Sequence, residues 1–120
     1  MIKKFEISSL HTNVDDDLRK YVTKKLGRLD RYISRHVRKT MHAEVKLKEN
    51  KSKQKNQYTC EVVVYLPQEV LTVKEATVNM YAAVDIVEDK LRNQLKKYKD
   101  IHTNPTLHQR ALSRLKHQVI

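Results

Sequence analysis

Residues 79–99 read NMYAAVDIVEDKLRNQLKKYK, and the periodicity of this stretch decides the fold. Met80, Val84, Val87, Leu91, Leu95 and Tyr98 recur at steps of three and four, the spacing of one face of an α-helix. Asn79 stands at the N-cap, where its side-chain oxygen can take an orphan backbone N–H of the first turn. Asp85, Glu88 and Asp89 lie toward the front, and Lys96, Lys97 and Lys99 lie in the last turns, the order that the helix dipole favours. The two flanks of the apolar stripe differ. On a wheel advancing ~100° per residue, one flank carries Ala83, Lys90, Gln94 and Lys97 and no carboxylate. The other mixes Asp85 and Glu88 with Arg92 and Lys99, and Glu88 and Arg92 are spaced to pair. The pattern therefore singles out Lys90 and Lys97 as unpaired cations.

Upstream, a second helix is predicted over residues 13–34, with Asn13 as its cap and Asp15, Asp16 and Asp17 in its first turn. Leu18, Val22, Leu26, Leu29 and Ile33 form its buried stripe. Lys20, Lys24, Arg28, Arg31 and Arg35 repeat the same spacing, offset to one side. Lys25 lies nearer the stripe, Tyr21 and Tyr32 lie between, and Asp16 and Asp30 fall opposite. A solvated helix usually interlaces both signs. Segregated signs point to a basic ridge. Gly27 is expected to face away from the core, tolerated at a cost of about 1 kcal/mol relative to alanine.

The remaining segments read as strands. Residues 2–9 place Phe5 and Ile7 on one face. Residues 40–49 alternate Met41, Ala43, Val45 and Leu47 against His42, Glu44, Lys46 and Lys48. ENKSKQKNQ, residues 49–57, reads as a solvated hairpin loop. Residues 57–66 turn Tyr58, Cys60, Val62 and Val64 inward, while Val63 and Tyr65 make the other face partly apolar, as in a central strand. Cys60 is then a core residue. After a turn at residues 67–69, residues 70–77 complete a meander with Leu71 and Val73 inward. The order β-α-β-β-β-α predicts an α+β two-layer sandwich, with both helices packed on one face of a four-stranded sheet. Residues 1–100 form one domain on this reading. Residues 101–120 form a basic tail in which Pro105 is a breaker, and Leu107, Ala111, Leu112 and Leu115 suit a short helix that is marginal alone.

Composition narrows the function. The 120 residues allow one small core. A formal net charge of +11 and a pI of about 9.8 call for an anionic partner: nucleic acid, a membrane surface or an acidic protein. A lone cysteine rules out an intrachain disulfide and fits a reducing compartment. No apolar run is long enough to span a bilayer, and residues 1–20 lack a signal-peptide apolar region, so a cytoplasmic protein is expected. The histidines form no metal-ligand spacing, the single glycine precludes a phosphate-cradling loop, and G-x-S-x-G is absent. Asp15 to Asp17 read as an acidic first turn rather than as metal ligands. No catalytic residue, metal site or cofactor is expected.

The last helix, MYAAVDIVEDKLRNQLKKYKD, resembles that of the ribosome hibernation-promoting factors, also called ribosome-associated inhibitors. Their signature is roughly D-M-Y-x-A-I-D followed by K-L-x-R-Q-L-x-K. Met80, Tyr81, Ala83, Asp85, Lys90, Leu91, Gln94, Leu95 and Lys97 match it. Asn79 replaces the usual Asp, and Asn93 stands where the family has Arg, with Arg92 one step earlier, about 100° around the helix. KKLGRLDRY is similar to the family's first helix, the matching basic positions being Lys25, Arg28 and Arg31. The resemblance covers residues 1–100 and implies a fold like that of double-stranded-RNA-binding domains. It also implies a translation inhibitor that occupies the mRNA and tRNA region of the small ribosomal subunit and preserves idle ribosomes in stationary phase or stress.

Combined with the charge pattern, the resemblance points to Lys24, Lys25, Arg28, Arg31, Lys90, Arg92 and Lys97 as ribosome-binding residues. With the basic flanks facing each other, Lys25, Arg28, Arg31, Lys90 and Lys97 line a positive groove between the helices. The expected partner is small-subunit rRNA, met by a monomer, with no membrane and no small-molecule substrate. Residues 101–120 resemble neither the dimerisation domain of long family members nor the acidic tail of some short ones, so a short form is expected. Two other readings stay open. One is a general module for structured RNA, held by phosphate contacts. The other is a regulator docking on an acidic protein, to which the family's historical label of sigma-factor modulation belongs.

Overall fold

Alternation along each strand and the register between strands put every inward apolar side chain on one side of a four-stranded sheet. A computed structural model describes residues 1–51 and 56–102. In chain order it holds β1 (Lys4–Leu10), α1 (Asp16–Leu26), a 3-10 helical segment (Gly27–Tyr32), α2 (Arg35–Arg38), β2 (His42–Lys51), β3 (Asn56–Leu66), β4 (Glu69–Thr77) and α3 (Met80–His102). The sheet order is β1-β2-β3-β4. β2, β3 and β4 form the antiparallel meander, and β1 adds to β2 in parallel. A parallel neighbour needs a crossover, and the chain from α1 through α2 supplies it.

Three cross-strand rows make up most of the inner face: Phe5–Ala43–Val64–Leu71, Ile7–Val45–Val62–Val73 and Ser9–Leu47–Cys60–Glu75. α1 and α3 cover this face. Val22 and Leu26 of α1, and Ala83, Val84, Val87, Leu91 and Leu95 of α3, are wholly buried against it. Cys60 lies in the same core, and burial pushes its thiol pKa up to about 12, so no thiolate forms near neutrality. Asn79 caps α3 as expected, its side-chain oxygen accepting from the backbone N–H of Tyr81 at 2.8 Å. The two-layer α+β sandwich read from the sequence is the architecture found.

Several details differ. The cap of α1 is Asp15, whose carboxylate accepts from the Leu18 N–H at 2.7 Å, and not Asn13. The first helix does not run unbroken to Ser34. It ends at Leu26 and tightens into the 3-10 segment. The cause is at Gly27. Its carbonyl, which a continuing α-helix would offer four residues on, accepts instead from the Ile2 N–H at 2.9 Å. Gly27 is also buried rather than outward-facing, and a Cβ there would come within 2.7 Å of Met1 Cε. Asp30 is drawn inward, with the Met1 amino group 3.2 Å from its carboxylate. Arg38 closes the segment by donating to the carbonyls of Asp30 (2.7 Å) and Ile33 (3.1 Å). β2 and β3 extend to Lys51 and from Asn56, so the hairpin connection is shorter than its polar composition suggested. α3 continues through His102, past the expected domain edge. The tail beyond it lies outside the described residues.

Candidate nucleic-acid interface

α1 and α3 lie side by side and run in the same direction, because successive residues of one meet successive residues of the other. At the start of the seam, the Tyr21 and Tyr81 rings meet edge to face with centroids 4.9 Å apart. The Tyr21 hydroxyl donates to Asp85 Oδ1 at 2.5 Å. Lys25 Nζ sits 3.8 Å from carboxylate oxygens of both Asp85 and Glu88. Donation to Asp85, helped by burial, pushes the Tyr21 phenol up to about 12.

Further along, the signs reverse. Arg31 donates to the Tyr32 hydroxyl at 2.7 Å, and its guanidinium lies 4.9 Å from the ring centroid. Lys96 Nζ lies 5.5 Å from the same ring. The Arg31 hydrogen bond, reinforced by Arg92, holds the Tyr32 phenol below its ordinary pKa. Two tyrosines of one seam thus have pKa values shifted in opposite directions, one facing a carboxylate and the other a cluster of cations.

The residues singled out in the sequence fall into three groups. Lys24 of α1 and Arg28 of the 3-10 segment are exposed, and they line a shallow cleft of about 420 Å³ with Met1, Arg19, Lys20 and Thr23. No carboxylate lines that cleft, and neither residue makes an ion pair among the described residues. Arg31 and Arg92 gather at Tyr32. Arg92 also meets Asp89 at 2.8 Å and Glu88 at 3.9 Å, the latter being the pairing expected from spacing. Lys25 is held inside the seam between two carboxylates.

Lys90 and Lys97 correct the sequence reading. Lys90 is not unpaired: it forms a salt bridge with Glu75 of β4. Its flank leans over the sheet's β4 edge, while the flank bearing Tyr81, Asp85, Glu88, Arg92 and Lys96 faces α1. Lys97, a heptad from Lys90, shares the β4-side flank, so the two do not line a groove with Lys25, Arg28 and Arg31. Helical periodicity defines two flanks but does not say which one meets the neighbouring helix. The ridge of α1 is broken as well, because Gly27 changes the turn between Lys24 and Arg31. Sequence reasoning missed Lys96. A usable signal was present: Lys96 follows Arg92 by four on the flank that carries Tyr81 and Asp85.

Helices laid over a mixed sheet and presenting cations away from it define a class of small α+β domain suited to an anionic backbone. The model of the family described as Sigma 54 modulation protein / S30EA ribosomal protein matches residues 5–103, and the chain belongs to that family. A ribosome hibernation promotion factor from Staphylococcus aureus (strain COL) is 30% identical over 96 residues, which is 80% of this chain and 48% of that protein. The chain thus spans about half the length of that relative. The N-terminal domain of Thermus thermophilus Protein Y superposes with a TM-score of 0.61 at 30% identity, over 82% of this chain and 99% of that one. A ribosomal subunit interface protein from Coxiella burnetii superposes with a TM-score of 0.65 at 25% identity, over 80% and 97%.

Proposed function

We propose that the protein is a ribosome-binding hibernation factor: a non-catalytic translation inhibitor that docks on small-subunit rRNA, occupies the mRNA and tRNA region there, and preserves idle ribosomes. The observation that carries this reading is the family match, which spans nearly the whole described fold. The helical layer supplies the chemistry. RNA affinity of this kind comes largely from cations that displace counterions condensed on phosphates. A cation already held by a protein carboxylate contributes less, because binding must first break or share that pair. Among the residues expected to bind, Lys24, Arg28, Arg31 and Lys97 are therefore the direct phosphate contacts, and Lys96 joins them. Lys25, Lys90 and Arg92 hold carboxylates and shape the surface. The unit acts as a monomer built from residues 1–100, in the cytoplasm where its partner is. Among the described residues no helix is long and apolar enough to cross a membrane.

Co-sedimentation with purified ribosomes and separated subunits tests this directly. The wild type is expected to pellet with small subunits, to be released as salt rises, and to inhibit cell-free translation in proportion. Arg28→Gln with Arg31→Gln should weaken binding much more than Lys25→Gln with Lys90→Gln, although both remove the same charge. No pelleting with either subunit at low salt would overturn the proposal.

A further inference from the structure

The side of the sheet turned away from the helices has no part in these contacts. Register fixes its rows: Lys4–His42–Tyr65–Val70, Glu6–Glu44–Val63–Thr72, Ser8–Lys46–Glu61–Lys74 and Leu10–Lys48–Thr59–Ala76. Charge is unevenly placed along this face, with Lys4 and His42 in its first row. Glu6 and Glu44 form the second row, where Glu44 accepts from the Tyr65 hydroxyl at 3.4 Å. Lys46, Lys48 and Lys74 lie in the two rows at the far end, where they surround a shallow cleft of about 260 Å³ together with Ser8, Leu10, Thr59 and Glu61. Glu61 is the sole carboxylate lining it, and it lies 3.7 Å from Lys46. Lys48 and Lys74 are exposed and make no ion pair among the described residues.

Strand geometry sets the spacing. Lys46 and Lys48, two residues apart on β2, stand about 7 Å from one another, and Lys46 and Lys74, two strands apart, about 10 Å. Glu61 stands between Lys46 and Lys74 and is taken up by Lys46, so Lys48 and Lys74 are the open cations, with Ser8 and Thr59 at the margins of the cleft. Cations set that far apart suit successive phosphates of a polynucleotide better than one small anion. A protein partner fits less well, since the buried centre of a protein interface is depleted in lysine. Resting on the reading that the partner is RNA, we propose that this cleft is a second RNA-backbone site, so that the protein is bivalent. The helical layer holds one RNA segment and the lysine end of the open sheet holds another on the opposite side of the molecule.

Energy transfer between two short RNA duplexes, one carrying a donor and one an acceptor, tests the bivalency with the full chain. The wild type is expected to bring the duplexes together. Lys48→Glu with Lys74→Glu should still bind one duplex but abolish transfer, and should lower the slope of log K against log salt by about 2, one per lysine. Lys24→Glu with Arg28→Glu should also abolish transfer yet retain weaker binding that depends on Lys48 and Lys74. The milder Lys48→Gln with Lys74→Gln gives the same comparison if reversal disturbs the sheet, which circular dichroism shows. Wild-type binding without transfer, or undiminished transfer by both sheet variants, would overturn the second site and leave the helical one standing. If the wild type binds no RNA, the functional reading and this proposal fall together. Competition by polyglutamate that requires Lys48 and Lys74, where RNA fails to compete, would overturn RNA as the occupant.

Discussion

The two ends of the α1–α3 seam use the same kinds of side chain to opposite effect. Around Tyr21, the phenol donates to Asp85, and Lys25 is taken up by Asp85 and Glu88. Around Tyr32, the phenol accepts from Arg31, Lys96 stands over the ring, and Arg92 adds a further cation that also pairs with Asp89 and Glu88. The first end ties the helices together, and the second leaves positive charge facing solvent. A lysine or arginine is available to a partner only where the fold has not already placed a carboxylate against it. Net charge does not distinguish the two cases.

The largest expected effect lies beneath both ends. Leu91 is wholly buried under the seam, and Leu91→Ala should cost about 2–5 kcal/mol in urea unfolding. A loss below about 0.5 kcal/mol, the range of an ordinary surface change, would mean that the seam does not rest on it.

Charge reversal then separates the ends. Lys25→Glu puts a third carboxylate beside Asp85 and Glu88 and should lower stability by about 1 kcal/mol, the upper range for a partly exposed pair. Arg31→Glu should change stability by less than about 0.5 kcal/mol while lowering the salt slope of RNA binding by about 1. If Lys25→Glu lost binding without losing stability, the contrast between a tied end and an open end would be broken.

The smallest effect sharpens the contrast through pH. Tyr21 has a folded pKa raised above its unfolded value, so its contribution is fully present below about pH 10 and is lost as pH rises through about 12. Tyr21→Phe should cost about 1 kcal/mol at neutral pH and remove that alkaline loss. Tyr32 shifts the other way, so its phenolate should appear early in an absorbance titration and vanish from it in Tyr32→Phe.

What was legible in the sequence follows from which interactions are local. The stripe from Met80 to Tyr98, the Asn79 cap and the strand alternation depend on neighbours along the chain, and each was readable. The break at Gly27 was not, because it depends on a hydrogen bond from Ile2, which is remote in sequence. The pairing of Lys90 was hidden for the same reason. Glu75 belongs to another element and lies on the helix-facing side of β4, opposite Cys60 in register. For the site, composition and spacing identified many of the cations, but tertiary pairing decides which of them remain open to a partner.

The parallel placement of β1 has a kinetic consequence. β2, β3 and β4 pair antiparallel with their sequence neighbours and can zip as successive hairpins, whereas Lys4 must find His42 across the whole crossover. Contacts that close long loops form late and slow folding, and parallel pairing is slightly weaker per residue than antiparallel. The meander with α3 is therefore the expected nucleus, and β1 is the strand that arrives last. In native-state hydrogen exchange its amides should open before those of β3, by a partial unfolding that frees the N-terminal strand while the rest of the sheet stays paired.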